Sequence, residues 1–155
     1  MSKGMRLLAV VLCAFTGGSA SQLWAQDTEV DKEMVLAVYT AFECSALARI
    51  AEFPDEGMQF RDIGYYAGLE VYAALEEGRV TRQELTVPIP AMNLLTIEGP
   101  TADFVLGVHY EFAFSMLMME VMSSIGIESS RAARRLEAHK RYREKGCPEI
   151  LLKNP

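Results

Sequence analysis

The sequence contains few of the residues on which metal and nucleophile chemistry usually depends. It has only two histidines, His109 and His139, and three cysteines. Two imidazoles are too few for a zinc site built mainly on histidine. The chain also lacks a C-x-x-C pair, a G-x-S-x-G nucleophile motif and a glycine-rich phosphate loop. No motif therefore points to thiol redox, nucleophilic or nucleotide chemistry, and no cofactor is expected.

The apolar run at the N-terminus, Leu7–Phe15, is too short to cross a membrane, because a spanning helix needs about 20 apolar residues. It follows two basic residues and has the length of the hydrophobic region of a signal peptide. Small and polar residues come next, and we place cleavage after Ala25, with Ala20 as the second choice. We therefore predict a signal peptide at residues 1–25 and a periplasmic or secreted protein with no membrane span after cleavage.

Cleavage of the signal peptide leaves an even number of cysteines. Cys13 is removed, and Cys44 and Cys147 remain. Two cysteines in an oxidising compartment predict a disulfide. This bond closes a loop of about 100 residues, for which the chain-entropy model gives roughly 4 to 5 kcal/mol of stabilisation. We predict that the bond is structural.

Basic side chains are scarce in most of the mature sequence. Cleavage removes two of the 15 basic residues and none of the 21 acidic ones, which leaves 13 and 21 and a net charge of −8. Residues 26–130 hold 5 basic and 18 acidic side chains, whereas residues 131–145 hold 7 and 2. The overall acidity argues against nucleic-acid binding, which needs a net basic surface. The uneven distribution is typical of a partner surface.

Helical periodicity runs through nearly all of the mature sequence. There are no internal repeats, low-complexity tracts or proline- and serine-rich linkers, so residues 26–155 are predicted to form a single helical domain. We predict an all-α fold, a compact irregular bundle of about four to six helices closed by one disulfide. The predicted helices cover residues 29–53, 58–77, a short segment from residue 81, 101–124 and 130–145.

Capping residues indicate where three of these helices begin. Thr28 with Asp31, and Thr81 with Glu84, resemble capping boxes, in which two side chains and two backbone N–H groups satisfy each other. Thr101 is the predicted N-cap of the central helix.

Prolines and glycines indicate breaks and close packing. Residues 54–57 (PDEG) are predicted to end the first helix. Pro88 and Pro90 rule out a long helix in the segment that begins at residue 81. Gly64 and Gly68 lie four residues apart on one helix face, so we predict close helix packing there.

The central helix contains the segment HYEFAFSMLMMEVM, residues 109–122. Methionine thioethers with a nearby histidine can bind Cu(I), but helical geometry separates these groups. At about 100° per residue, His109 faces away from Met118, Met119 and Met122, and it lies about 10 Å along the axis from Met116. We therefore predict that the methionines fill the core. A copper site remains an alternative only if other helices supply ligands.

Three polar side chains of the central helix are further candidates for a site: His109, Glu111 and Glu120. The two glutamates lie on opposite sides of the helix, and Glu120 is three turns from His109. They form no local acid–base pair, so an enzyme site around Glu111 and His109 would need groups from other helices. Otherwise Glu111 is expected at a helix edge or paired with Arg61 or Arg82.

The basic segment at residues 131–145 is the most distinctive predicted surface. It allows three interpretations: a solvated helix that complements its own dipole and the acidic body, a docking surface for an anionic protein, or a contact with anionic lipid. The candidate partner-binding residues are Arg131, Arg134, Arg135 and Arg141.

By elimination, the sequence favours an exported, non-catalytic helical protein that binds a protein partner in the cell envelope. A periplasmic Cu(I)-binding protein and a small enzyme with a site assembled around Glu111 and His109 are the alternatives. No oligomeric state follows from the sequence.

Export and disulfide formation can be tested together. Protein purified from the periplasm should have the intact mass of a chain that begins at Gln26, or at Ser21, minus two hydrogens for the bond. A full-length product retained in the cytosol would contradict the prediction of export.

Overall fold

Five helices make up the part of the chain that the computed structural model describes, residues 30–86 and 98–153. No strand occurs within these ranges, and the predicted all-α class is confirmed. The predicted signal peptide and the segment with Pro88 and Pro90 lie outside the described residues. The helices are α1 (Lys32–Ile50), α2 (Pro54–Glu76), α3 (Ala102–Ile125), α4 (Arg131–Glu144) and α5 (Cys147–Lys153).

Side-chain caps begin three of the helices. Asp31, Thr101 and Ser130 each accept a hydrogen bond from the backbone N–H three residues further on, at 2.9, 3.2 and 3.2 Å. The predicted N-cap at Thr101 is confirmed. The first helix begins with Asp31 as its N-cap, whereas Thr28 lies outside the described residues.

The boundary between α1 and α2 differs from the prediction. Residues 54–57 do not form the break, because Pro54 begins α2. Proline is well suited to the first turn of a helix, since the N–H it lacks has no acceptor there. The connection is therefore short, and Glu52 within it adopts a left-handed backbone conformation with φ of 65°.

The predicted third helix is reduced to its capping box within the described residues. The backbone N–H of Thr81 donates to Glu84 at 2.8 Å, and residues 82–85 form turns. At the other end of the chain, α5 is a short helix that no sequence pattern predicted.

Two glycines of α2, Gly64 and Gly68, make room for large side chains from two neighbouring helices. A Cβ atom on Gly64 would lie 2.7 Å from the Phe42 ring, and one on Gly68 would overlap Leu106. Phe42 on α1 and Leu106 on α3 are both buried. The predicted close packing is confirmed, and it brings α1 and α3 against the same face of α2.

The predicted core role of the methionines is wrong except at Met118, which is partly buried and packs against the core cluster around the disulfide. The buried face of α3 consists of Val105, Leu106, His109, Ala113, Leu117 and Val121. Met119 is 56% exposed, and the other three methionines of the segment are only partly buried. One face of α3 packs on the bundle while the methionines lie on its flanks and its outer face. Apart from Met118, the segment therefore contributes to the core through its other residues.

Helix α3 has the length and composition of a membrane-spanning helix. Core helices of soluble proteins also have these properties, and 33% of its most apolar window is buried within the described structure.

The Cys44–Cys147 disulfide is present, as predicted. It joins the middle of α1 to the first residue of α5 across a sequence separation of 103 residues. Both cysteines are fully buried. They lie in a hydrophobic cluster with Phe60, Leu117 and Tyr142, so the bond crosses the core.

Replacing both cysteines by alanine should lower the free energy of unfolding by about 3 to 5 kcal/mol, because the unfolded chain regains the freedom that the bond removes. Urea denaturation of the variant and of the oxidised wild-type chain measures the difference. Reduced wild-type protein is the matched control and should resemble the variant. Equal stabilities of the oxidised and variant proteins would contradict a structural role for the bond.

Candidate functional site

Much of the positive charge of α4 is met by carboxylates of the same molecule. Five of its ion pairs connect α4 and the residue after it to acids in α1, the α1–α2 connection and α4 itself. They are Arg131–Glu52 at 2.6 Å, Arg135–Glu52 at 3.4 Å, Lys140–Glu144 at 3.8 Å, Arg141–Glu137 at 2.9 Å and Lys145–Glu43 at 2.8 Å. Pairing with acidic side chains of the same molecule therefore accounts for part of the basic surface of α4.

Arg141 connects α3 to α4. Its guanidinium lies 3.2 Å from Glu120 and 2.9 Å from Glu137. The hydrogen bond from Arg141 lowers the pKa of Glu137, and a further one from Ser124 acts in the same direction. Two of the residues singled out from the sequence, Arg141 and Glu120, are thus in contact. Their arrangement serves helix packing.

The three polar side chains of α3 lie in different surroundings. His109 is 1% exposed and packs edge-to-face with Tyr39 at 6.3 Å between ring centroids. The Glu111 side chain is 64% exposed and lies 3.6 Å from Arg49; it is a surface carboxylate paired with an arginine, as expected, but the arginine is neither Arg61 nor Arg82. Glu120 is next to Arg141. They do not assemble into one acid–base site.

The described residues contain no group of three or more His, Cys, Asp or Glu side chains arranged to hold a metal ion. His109 and the most exposed methionine of the segment lie on different faces of the helix. His109 is on the buried face of α3, and Met119 points to solvent.

The structure instead brings arginines from three helices to one cleft, which no sequence pattern indicated. Arg49 at the end of α1, Arg61 in α2 and Arg131 in α4 line it together with Met58 and Tyr110. We call this the arginine cleft; its remaining lining residues are Glu52, Pro54 and Gly57, and its volume is about 410 Å³. Arg135 approaches from α4 through the carboxylate of Glu52.

These arginines are held in place but remain accessible. Arg131 is 82% exposed, and Arg49 lies over the Phe114 ring at 4.1 Å. Arg61 pairs with its own neighbour Asp62 at 2.9 Å. Ion pairs this exposed contribute little stability, because water screens them. Each guanidinium can therefore exchange its present carboxylate for one from a ligand.

Glu52 is the central acid of the cleft. It accepts hydrogen bonds from Arg131 and Arg135, and the bond from Arg131 holds the pKa of Glu52 below its usual value. Its left-handed backbone is unusual for a residue other than glycine. Its carboxylate faces α4, where it pairs with both Arg131 and Arg135.

A second recess adjoins the arginine cleft and has a different character. Phe42 and Leu106 form its buried floor, and Tyr65, Tyr66 and Tyr110 line it. We call this recess the tyrosine pocket; Arg61, Asp62, Asp103 and Gly107 complete its lining, and its volume is about 350 Å³.

A tyrosine and an aspartate are tied together at the far end of the tyrosine pocket. The Tyr65 hydroxyl donates to the Asp103 carboxylate, and this bond raises the pKa of Tyr65. The pairing connects α2 to the first turn of α3.

Gly107 leaves the backbone of α3 bare at the tyrosine pocket. A Cβ atom added there would meet nothing within 4 Å. Gly64 and Gly68 of α2, by contrast, are required by the close approach of Phe42 and Leu106. Within the described residues, no neighbouring side chain requires a glycine at position 107.

Comparison of the chain with protein-family models, curated proteins and solved structures finds no match. The chemistry of the arginine cleft and the tyrosine pocket is therefore the basis for assigning a function.

Gly107→Ala should raise the free energy of unfolding by about 0.5 to 1 kcal/mol, because alanine favours the helix and its methyl group has room. Chemical denaturation measures the change. Gly68→Ala is the matched control and should lose about 1 to 3 kcal/mol, since its methyl group would overlap Leu106. A loss of stability in Gly107→Ala would show that the space at Gly107 is needed by the fold itself.

Proposed function

We propose that the chain is an exported, non-catalytic helical protein of the cell envelope that binds a protein partner through the arginine cleft. The observation that carries this proposal is the meeting of Arg49, Arg61 and Arg131 at one concave surface. The mature chain has a net charge of −8, so a local concentration of guanidinium groups stands out against an acidic molecule.

The composition of the cleft is that of a protein-binding surface. Arginine and methionine are enriched at protein interfaces, and tyrosine is among the commonest anchors. Met58 is exposed and Tyr110 partly buried, so apolar contacts lie beside the charges. Arginine also presents several N–H donors in a rigid plane, which suits carboxylates.

The buried disulfide supports the proposal of export. Bonds of this kind persist in the periplasm or outside the cell, and they are rare where thiols are kept reduced. With the proposed signal peptide at residues 1–25, cleaved after Ala25, the chain reaches the compartment in which Cys44 and Cys147 are oxidised.

The separation of the polar groups of α3 favours binding over catalysis. His109 is sealed beside Tyr39, whereas Glu111 and Glu120 are each paired with an arginine at the surface. General acid–base catalysis requires the acid and the base to lie within reach of the same reacting group of a substrate.

Affinity capture from envelope extracts tests the proposal. The triple variant Arg49→Gln, Arg61→Gln, Arg131→Gln should lose a protein that the wild-type chain retains, because the partner's carboxylates lose their donors. Mass spectrometry identifies and quantifies the retained proteins.

A second triple variant is the control, since it removes the same charge elsewhere. It carries Arg79→Gln, Lys140→Gln and Arg143→Gln, and it should retain the partner. Identical sets of retained proteins for wild type and both variants would contradict the proposal.

A further inference from the structure

We propose that the arginine cleft and the tyrosine pocket form one docking groove for an extended acidic segment of the partner, which inserts an apolar side chain, preferably aromatic, into the tyrosine pocket. This inference rests on the proposed function and specifies the chemistry of the partner.

The two recesses are adjacent and share part of their lining. Arg61 and Tyr110 line both of them. On α2 the lining runs from Pro54 to Tyr66, which corresponds to about 18 Å at 1.5 Å per residue. An extended chain rises about 3.3 Å per residue, so the groove accommodates about five or six residues of a partner.

The charges of the groove determine where acidic residues of the partner can lie. The arginine cleft has Arg49, Arg61 and Arg131 against Glu52 within its lining. The tyrosine pocket has Asp62 and Asp103 beside Arg61. Carboxylates of the partner segment are therefore attracted to the arginine cleft and repelled from the tyrosine pocket. This difference fixes the position of the segment along the groove.

The tyrosine pocket is suited to an aromatic side chain. Its floor of Phe42 and Leu106 is apolar and buried, and Tyr66 is largely exposed along its edge. Aromatic rings pack favourably in edge-to-face and offset arrangements. The bare backbone at Gly107 admits the ring close to the axis of α3.

Two segments outside the described ranges are excluded as occupants. Residues 87–97 contain no acidic side chain. After the proposed cleavage, residues 26–29 precede α1 and can span about 14 Å. Arg49 lies at the opposite end of the 19-residue α1, about 28 Å away along its axis. The carboxylates must therefore come from another molecule.

Fluorescence anisotropy with labelled probe peptides tests the inference on the oxidised mature chain. The probe carries three consecutive glutamates, a Gly-Ser spacer and a tryptophan, and it is made in both chain orders. At least one order should bind saturably. A peptide with lysines in place of the glutamates should not bind, and one with serine in place of tryptophan should bind about tenfold more weakly.

Protein variants locate the two halves of the segment. Arg61→Gln with Arg131→Gln should weaken binding of the probe about tenfold, whereas Arg79→Gln with Arg143→Gln should leave it unchanged. Gly107→Leu should also weaken binding about tenfold by filling the tyrosine pocket, and its unchanged or raised melting temperature shows that the fold is intact.

Glu52→Gln provides a test in the opposite direction. It removes the carboxylate that competes for Arg131 and Arg135, so it should tighten binding of the acidic probe. Tighter binding of the probe cannot result from misfolding of the variant. Unchanged or weaker binding would overturn the assignment of the arginine cleft to carboxylates.

The inference is overturned if no probe binds saturably, if the lysine peptide binds as well, or if Gly107→Leu and the arginine pair have no effect. Arginine-dependent capture from extracts together with absent probe binding would reject this segment chemistry and retain the proposed function. If arginine-dependent capture and probe binding are both absent, the inference and the proposed function are both rejected. Arginine-dependent dimerisation of the purified chain would show that a second copy occupies the groove, and would overturn the inference.

Discussion

The Cys44–Cys147 disulfide is the constraint on which the arrangement of the helices around the arginine cleft depends. It fixes the segment after α4 to the middle of α1, and α4 packs on α1. Lys145 and Glu43, which lie close to the bridge on either side, form a 2.8 Å ion pair that holds the same junction. At the other end of α4, Arg131 and Arg135 meet Glu52 just after α1. A buried covalent bond at one end of α4 and surface ion pairs at the other thus hold this helix against α1 and the α1–α2 connection.

Small residues on α2 have a comparable effect on the tyrosine pocket. Gly64 and Gly68 allow Phe42 and Leu106 to approach the helix, and these two side chains then form the floor of the pocket. Because the same residues belong to the core and line the tyrosine pocket, the pocket is supported by close packing of helices. A surface of this kind loses little conformational entropy when a partner binds.

Local signals predicted much of the fold, whereas the site depends on contacts that no local signal contains. Caps such as Thr101 and an even cysteine count identified helix starts and the disulfide, because their chemistry involves a few neighbouring residues or a single pairing. The methionine prediction failed at every position but Met118, because composition alone does not tell which face of an apolar helix is buried. Periodicity would have favoured the face with Val105, His109, Ala113, Leu117 and Val121. Nothing in the sequence indicated that Arg49 would meet Arg131, since they lie 82 residues apart.

The net charge of the chain bears on the kind of recognition that the arginine cleft can provide. An acidic molecule repels an acidic partner at long range, but at physiological ionic strength this field decays over about 8 Å. Within that distance Arg49, Arg61 and Arg131 dominate, and directed N–H donors replace the diffuse repulsion. Under this proposal, long-range electrostatic attraction does not speed association. The arginines contribute through directed hydrogen bonds once the partner is close. In the proposed complex a carboxylate of the partner would replace Glu52, which accepts a hydrogen bond from Arg131. In the free protein the charge of Glu52 limits the cost of leaving that guanidinium unpaired, and under this proposal it selects for carboxylates that can displace it.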